Sequence, residues 1–444
     1  EIKNLLKEFL QYASLNVLGM IGLSCYILAD TFFVSRGLGA NGLTALNLAV
    51  PVYSFVHGCG IMFGMGGATK YSIYIGQKEY KNANKVFSNT VYSMAVLSIF
   101  FFAAGIFFSE KITLLLGADA EVFADTKTYL QVILLFAPAF MTNDTLICFV
   151  RNDGNPRLSM IAMLTGSLSN IVLDYVFIFP LNMGMFGAVF ATGLAPVISI
   201  IILSNHWITG QKRMHIENRL RLEKPKLEPG LTANTVSLGI PSLVTEFASG
   251  IVMIVFNSII LRLEGNIGVA AYGVVANLSL VVISVYTGIA QGTQPILSKA
   301  YGRGNNNDIK QLLKYAITAM LLISCCIYII FSIFTAPIAG IFNSEGDMQL
   351  QRIAEMGLRI YFTAIPFAGF NIIISTYFTS TERALPAQII SLSRGMLLIV
   401  PMSFLMSFLL GMTGVWLSYP VTEGIVALMG VIFYKKFTLK NLPV

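Results

Sequence analysis

Asn170 and Asp174 lie four residues apart in SNIVLDYVFIFP, a stretch from 169 to 180 that is otherwise apolar. Four residues is about one helical turn, so the two side chains share a helix face. Asp30, in YILADTFFVSR, is a second acid set in an apolar run. An aspartate near the centre of a membrane helix costs about 3 kcal/mol, so each is expected to have a partner or a task. Asp30 precedes Arg36 by six residues and Asp174 precedes Pro180 by six. At about 1.5 Å per residue both sit roughly 9 Å from the outer ends of their helices. Thr192 follows Gly184 by eight residues on a helix that runs inward, which brings it to a depth of about 12 Å. Four oxygen-bearing side chains thus converge on one layer. Two carboxyls at one depth repel unless they share a proton or a cation. Hard oxygen ligands suit sodium or a proton, and soft ligands for a transition metal are lacking. A hydrogen-bonded cluster serving packing alone would use the same residue types. The doubled acid points instead to a coupling-ion site at Asp30, Asn170, Asp174 and Thr192. Four oxygen ligands favour sodium in a site that protons also occupy, because protonating either aspartate removes ligand charge.

The elements that must position this layer are membrane helices. Of 444 residues 55% are hydrophobic and only 11% charged, and the mean hydropathy is +0.73. Apolar runs of about twenty residues, each long enough to cross a hydrocarbon core of roughly 30 Å, recur along the chain. Twelve are expected: 10–35, 44–75, 85–108, 120–150, 158–180 and 184–208, then 234–262, 267–301, 311–333, 349–380, 385–407 and 411–434. The strict alternation of a membrane β-barrel is absent, so the predicted class is an all-α integral membrane protein. The long polar connection TGQKRMHIENRLRLEKPKLEPG, 209–230, divides the chain. The predicted organisation is an amino-terminal six-helix lobe over 1–208, a cytoplasmic connecting loop over 209–233 and a carboxy-terminal six-helix lobe over 234–444. The sequence repeats itself across the loop. GANGLTALNLAV (39–50) matches GNIGVAAYGVVA (265–276) at a shift of 226, as Gly66 and Gly76 match Gly292 and Gly302. GMFGAVFAT (184–192) matches GMTGVWLSY (411–419) at a shift of 227. With six helices per half the repeats run parallel about a pseudo-two-fold along the membrane normal, a plan that favours a transporter with its site between the halves.

Most of the 29 Lys and Arg fall in loops on the side of the connecting loop, Arg151 and Arg157 among them. Both termini are therefore expected in the cytoplasm, with the chain in a plasma membrane of bacterial inner-membrane type. The basic excess follows topology, and no aromatic-interleaved basic motif indicates a nucleic-acid partner. The first apolar run reads as a helix rather than a removable signal. Cys25, Cys59, Cys148, Cys325 and Cys326 lie in apolar runs without ligand spacing and read as small packing residues. Phosphate loops, HExxH and serine or cysteine triads are absent, and His57, His206 and His215 are scattered, so no enzyme is expected. The cluster GIMFGMGG over 60–67 reads as helix packing.

At the repeat shift Asp30 maps to Phe256 and Asp174 to the apolar stretch near Leu398. Ion coupling should therefore reside in the first half. The second half carries Glu246, Arg394 and Glu423 instead. Glu246 lies sixteen residues before Arg262, about 24 Å from the outer end, where it serves either to receive a cationic substrate from inside or as a structural partner for a neighbouring helix.

Taken together, ADTFFVSRGLG (29–39), RNDGNP (151–156), NIVLD (170–174), GAVFAT (187–192) and GTQPILSKAYGRG (292–304) resemble the multidrug and toxic compound extrusion (MATE) family. The resemblance covers nearly the whole chain. It implies a V-shaped pair of six-helix lobes that expel lipophilic cations by alternating access, driven by inward sodium or proton flow and without other cofactors. It also implies that Asp30, Asn170, Asp174 and Thr192 match the family's amino-terminal cation site, that Glu246 matches a helix 7 acid, and that Tyr26 lines the site. A functional monomer dealing with small cations and membrane lipid is expected. One departure is Leu15, which stands where many relatives carry a proline early in the first helix; a softer bend at Gly19 and Gly22, or close packing by them, replaces a proline bend. The competing reading is a lipid-linked oligosaccharide flippase of the same superfamily, which would need several cations in its cavity, with Arg394 as the main candidate.

Overall fold

The computed structural model describes residues 2–209, 220–224, 226–343 and 345–439. Lys212, Arg213, His215 and Arg219 of the connecting loop and Lys440 lie outside the described residues. Among the described residues every regular element is helical. Nine helices are long and apolar enough to cross a membrane, or ten when one bent pair is joined.

Two of the nine are double. α1 (Ile2–Gly76) contains one residue with non-helical angles, Gly39 at φ 74° and ψ −163°, a region open to glycine and costly for other residues. The Tyr26 and Tyr53 hydroxyls meet at 2.6 Å, although 27 residues of straight helix would hold them about 40 Å apart. α1 therefore folds back at Gly39 into two arms. α9 (Pro229–Gly302) does the same at Gly265, φ 68°, and brings the rings of Phe256 and Tyr272 within 5.4 Å. With each arm counted and the bent pair joined, the described residues hold up to twelve membrane-length segments.

The remaining helices follow the expected order with local breaks. α2 (Tyr80–Phe107) is followed by the short α3 (Ser109–Leu115). α4 (Phe123–Leu135) and α5 (Ala137–Asn152) replace the single helix expected over 120–150. They meet at 50°, because Pro138 in the first turn of α5 lacks the donor that would continue the ladder. α6 (Pro156–Ile178) starts at Asn155, whose side chain accepts from the Leu158 amide at 3.3 Å. α7 (Gly184–Leu203) and α8 (Asn205–Thr209) complete the first half. α10 (Asn306–Ile333) is capped by Asn305, and α11 (Thr335–Ile341) precedes α12 (Met348–Tyr361) and α13 (Ile365–Ser380), which are separated by a short 3-10 turn ahead of Pro366. The helix expected over 385–407 is interrupted: α14 (Ala384–Leu392) and α15 (Ile399–Leu410) flank a π turn over 393–397. α16 (Met412–Leu439) ends the described chain.

Large apolar side chains such as Ile99, Phe100, Phe107 and Phe408 are exposed on the outer faces, as lipid-facing positions require. Inside, one apolar cluster joins Val34, Leu46, Phe63, Leu130 and Met141. Another joins Phe256, Tyr272, Phe362, Phe378 and Trp416, and recruits Phe9 and Ala13 from the first arm of α1. The halves also meet along glycines at the end that bears the connecting loop. A Cβ on Gly66 would come 3.1 Å from the Gly239 amide nitrogen and closer to the Thr235 carbonyl; one on Gly292 would lie 3.0 Å from the Ala13 Cα. Gly76 and Gly302 face each other in the same way. The matched repeat positions thus form a self-complementary seam, as a two-fold contact demands. Lys70 of α1 forms an ion pair with Glu382 across it. At the other end Gly39 and Gly265 would meet nothing within 4 Å.

Gly19 and Gly22 do not bend α1. A Cβ at Gly19 would come 2.8 Å from Met163 Sδ and one at Gly22 2.6 Å from Leu164 Cδ2, both on α6. These glycines let α1 and α6 approach closely. Gly60, Gly64 and Gly67 similarly lie against Asp144, Cys148 and Phe149. The connecting loop docks at its described part: the Leu220 amide donates to Asp153 Oδ2 at 3.2 Å and the Trp207 indole to the Leu220 carbonyl at 3.0 Å.

Candidate functional site

The close approach of α1 and α6 sets two carboxyls face to face. The Asp30 and Asp174 carboxyls interact electrostatically, and two buried acids so placed need a shared proton or an intervening cation. The residues are 7% and 0% exposed, with Asn170 at 1% and Thr192 at 3%. Oδ1 of Asp30, both carboxyl oxygens of Asp174 and the amide oxygen of Asn170 have no donor from the protein. Buried oxygens without donors are costly, and a cluster of four fits a hard cation or a proton. The Thr192 hydroxyl donates to the Ala188 carbonyl at 3.2 Å, which leaves its own lone pairs turned to acceptance. Among the described residues no group of three or more His, Cys, Asp or Glu forms a metal cage. The arrangement is two acids, an amide and a hydroxyl.

The four residues are drawn from the first arm of α1, α6 and α7, as the depth argument requires. Asn170 and Thr192 also line a cavity of about 820 Å³, counting the part open to solvent, together with Tyr26 and Glu246. Asp30 and Asp174 stand behind that wall. Glu246 comes from α9, so the cavity is shared by both halves.

Sequence reasoning passes over three cavity residues. The Tyr26 hydroxyl meets Tyr53, whose ring stacks on His57 with centroids 5.8 Å apart and planes at 3°. Nδ1 of His57 lies 2.9 Å from Asp144 Oδ2. Asp144 meets the same criterion as Asp30, an acid inside a membrane helix, and lies in a polar stretch with Thr142, Asn143 and Thr145. His57 is 87 residues from its partner, so no local motif betrays the pair.

Arg151 corrects an expectation. Placed by its sequence in an inside-facing loop, it is 1% exposed and lines the cavity. Its Nη1 donates to Asn16 Oδ1 at 2.6 Å and Nη2 to Cys148 Sγ at 3.7 Å. Asn16 in turn donates to the Gly288 carbonyl at 2.9 Å, which ties the guanidinium into the contact between halves. A cation in the last turn of α5 is also favoured by the helix dipole.

Arg394 is corrected in the opposite sense. It is not among the cavity-lining residues, and its Nε donates to Glu423 Oε1 and Oε2 at 2.7 and 3.0 Å. Glu423 also accepts from Asn371 Nδ2 at 2.6 Å. The second half has no bare charge at this point, but a neutralised one. Among the cysteines Cys59 and Cys148 are buried, whereas Cys25, Cys325 and Cys326 are exposed rather than packed inside.

The chain is 26% identical to the multidrug export protein MepA of Staphylococcus saprophyticus, over 96% of this chain and 93% of that one. It is 26% identical to MepA of Staphylococcus aureus, over 95% and 92%. Among solved structures it resembles a MATE protein in complex with MaL6 at a TM-score of 0.89 and 23% identity, covering 97% of this chain and 95% of that one. It also resembles a MOP superfamily transporter from Pyrococcus furiosus, described as having a binding pocket of reverse polarity, at a TM-score of 0.87 and 22% identity over the same shares. These likenesses show the fold. The MatE family model matches residues 16–176 and 241–417, and the chain belongs to that family.

Proposed function

We propose that the chain exports lipophilic cations by alternating access, coupled to inward flow of sodium or protons at Asp30, Asn170, Asp174 and Thr192. The observation that carries this reading is the facing pair of carboxyls, with oxygens that find no protein donor, set directly behind a cavity lined by Tyr26 and Glu246. The multidrug-export names of the relatives support it. In this reading the connecting-loop end is cytoplasmic, as the positive-inside rule suggests, and the glycine seam there closes that side. In that state an ion from outside reaches Asn170 and Thr192 on the cavity wall. Binding there neutralises the acid pair, which removes the repulsion that holds the helices of the first half in one arrangement. The energetic requirement is differential: the ion must bind one arrangement of the lobes more tightly than the other. The reaction makes and breaks no covalent bond, in keeping with the absence of catalytic motifs.

The test is uptake of a cationic dye into proteoliposomes under sodium and proton gradients imposed separately. Asp30→Asn and Asp174→Asn should each abolish gradient-driven transport while protein abundance stays normal. Undiminished transport in both variants refutes the assignment. Tight binding of a diphosphate lipid with no dye binding favours the flippase instead.

A further inference from the structure

The coupling pair leaves unused the other buried acid of the first half, Asp144, and the histidine that holds it. We propose that His57 and Asp144 form a second cation-exchange site inside the cavity, where a proton on His57 and the positive charge of a lipophilic substrate neutralise Asp144 in turn. The proposal rests on the cation-export reading above and adds a residue pair to it. It stands on four observations. Nδ1 of His57 is 2.9 Å from Asp144 Oδ2, with side chains only 12% and 9% exposed. The ring is fixed by stacking on Tyr53, which the Tyr26 hydroxyl anchors in turn. Both members line the cavity that Glu246 enters from the other half. The Glu246 Cβ is close enough to Gly58, the residue after His57, that a Cβ added there would lie 3.3 Å from it.

One base therefore stands near two acids in a closed apolar wall. With His57 neutral, its Nδ1–H donates one hydrogen bond to Asp144, and the carboxylate keeps its full negative charge for a substrate cation. With His57 protonated, the imidazolium satisfies that charge and the substrate loses its counter-ion. The sign is thus binding at high pH and release at low pH. For a cavity open to the outside, an acidic exterior would expel the substrate where expulsion is useful.

The other groups near the pair do not substitute for it. On α5, Arg151 is engaged by Asn16 and Cys148. Tyr26 and Asp30 lie on the first arm of α1, with Asp30 committed to Asp174; Tyr129 of α4 and Tyr53 carry phenols that are neutral near pH 7. α6 and α7 present Asn170 and Thr192, which do not titrate, with Asp174 behind them. Glu246 adds negative charge and strengthens the hold on either cation.

The experiment is equilibrium binding of tetraphenylphosphonium, a permanent cation without a titratable group, to the purified full chain in detergent at fixed sodium between pH 5.5 and 8. Wild-type affinity should fall with pH at up to tenfold per unit, the limit for one exchanged proton. His57→Gln should flatten that dependence, and Asp144→Asn should bind weakly at every pH. Gly250→Ala, outside the cavity wall, should keep the slope. A His57→Gln protein that retains the wild-type slope overturns the inference alone. Wild-type protein that binds no tetraphenylphosphonium at any pH overturns both this inference and the cation-export reading. Should His57→Gln fail to fold, the imidazole nitrogen signal of His57, identified by elimination with His206→Gln and His215→Gln, gives the same answer in the native protein. Saturating tetraphenylphosphonium should move its titration midpoint to lower pH, since the linkage is reciprocal, and an unmoved midpoint overturns the proposal.

Discussion

Gly239→Ala should force the seam between the halves apart. The added methyl would sit 2.6 Å from the Met62 carbonyl carbon and closer still to its oxygen. Ordinary carbon contacts lie at about 3.5 to 4.0 Å, so the helices must separate by roughly 1 Å. Met62 meets the methyl with backbone, which cannot swing aside as a side chain would. Overpacking of this kind costs about 1 to 3 kcal/mol. Alanine also favours the helix by up to about 1 kcal/mol, but it does so whether the seam is closed or open, so that gain cancels from the equilibrium between them. The net effect is a shift of about 5- to 150-fold toward the state opened at the connecting-loop end. Spin labels at 77 and 303, introduced without the native cysteines, report the distance across that end by electron–electron double resonance. Gly239→Ala should broaden and lengthen the distribution and slow transport. Gly250→Ala on the same helix, where an added Cβ meets nothing within 4 Å, should change neither. If Gly239→Ala leaves the distance distribution as in wild type, the seam is not the gate.

Asn170→Ala should weaken sodium binding on the order of tenfold, the worth of about 1.4 kcal/mol of a single ligand contact, while sparing proton-driven transport more than Asp174→Asn does. Calorimetry across pH 6 to 8 checks this: sodium affinity should fall as pH drops, because protonating either aspartate removes ligand charge, and no sodium binding alongside full proton-driven efflux would refute the sodium site. Glu246→Gln should weaken tetraphenylphosphonium more than neutral triphenylphosphine oxide in the same binding assay; equal losses would remove Glu246 from cation recognition. Glu423→Ala strands the Arg394 guanidinium and should cost about 3 to 5 kcal/mol of stability, read as loss of folded protein on denaturant titration in detergent. The double variant Arg394→Met with Glu423→Leu should recover most of that loss.

The layer of four oxygens was legible because depth along a helix is one-dimensional. Counting residues from Arg36, Pro180 and Gly184 is enough to bring Asp30, Asp174 and Thr192 to one level, and the one-turn spacing of Asn170 supplies the fourth. Glu246, counted to a deeper level, lines the same cavity as Tyr26 and Asn170. What counting cannot supply is the partner across the bundle. Arg151 at a helix end has the sequence of an exposed loop base, and its long-range partner Asn16 is 135 residues away. Arg394 and Glu423 each read as a functional charge until tertiary packing brings them within hydrogen-bonding distance. His57 and Asp144 are the converse, unremarkable apart and chemical together. Breaks in the helices divide in the same way. Gly39 falls inside the expected turn between the first two segments, whereas the π turn over 393–397 interrupts what reads as one continuous helix over 385–407.

The repeat explains why one half is left acidic. At the shift of 227 that relates 184–192 to 411–419, Asp144 corresponds to Asn371, Thr192 to Tyr419 and Pro196 to Glu423. At the first two of these points both halves place polar groups; at the third, the acid Glu423 has only Pro196 opposite it. In the second half the acid, Glu423, is met by Arg394 and Asn371, so the cluster is closed on itself and its charge is spent internally. In the first half the acids outnumber their bases: Asp30 and Asp174 have only each other, and Asp144 has a histidine whose charge depends on pH. The glycine seam, by contrast, is retained on both sides at Gly66 and Gly292 and at Gly76 and Gly302. Under the proposed coupling, a symmetric hinge carrying an asymmetric charge would convert ion occupancy in one half into movement of both. If both halves were neutralised the seam would have nothing to respond to. Were both acidic, two ions would have to arrive before either state was preferred.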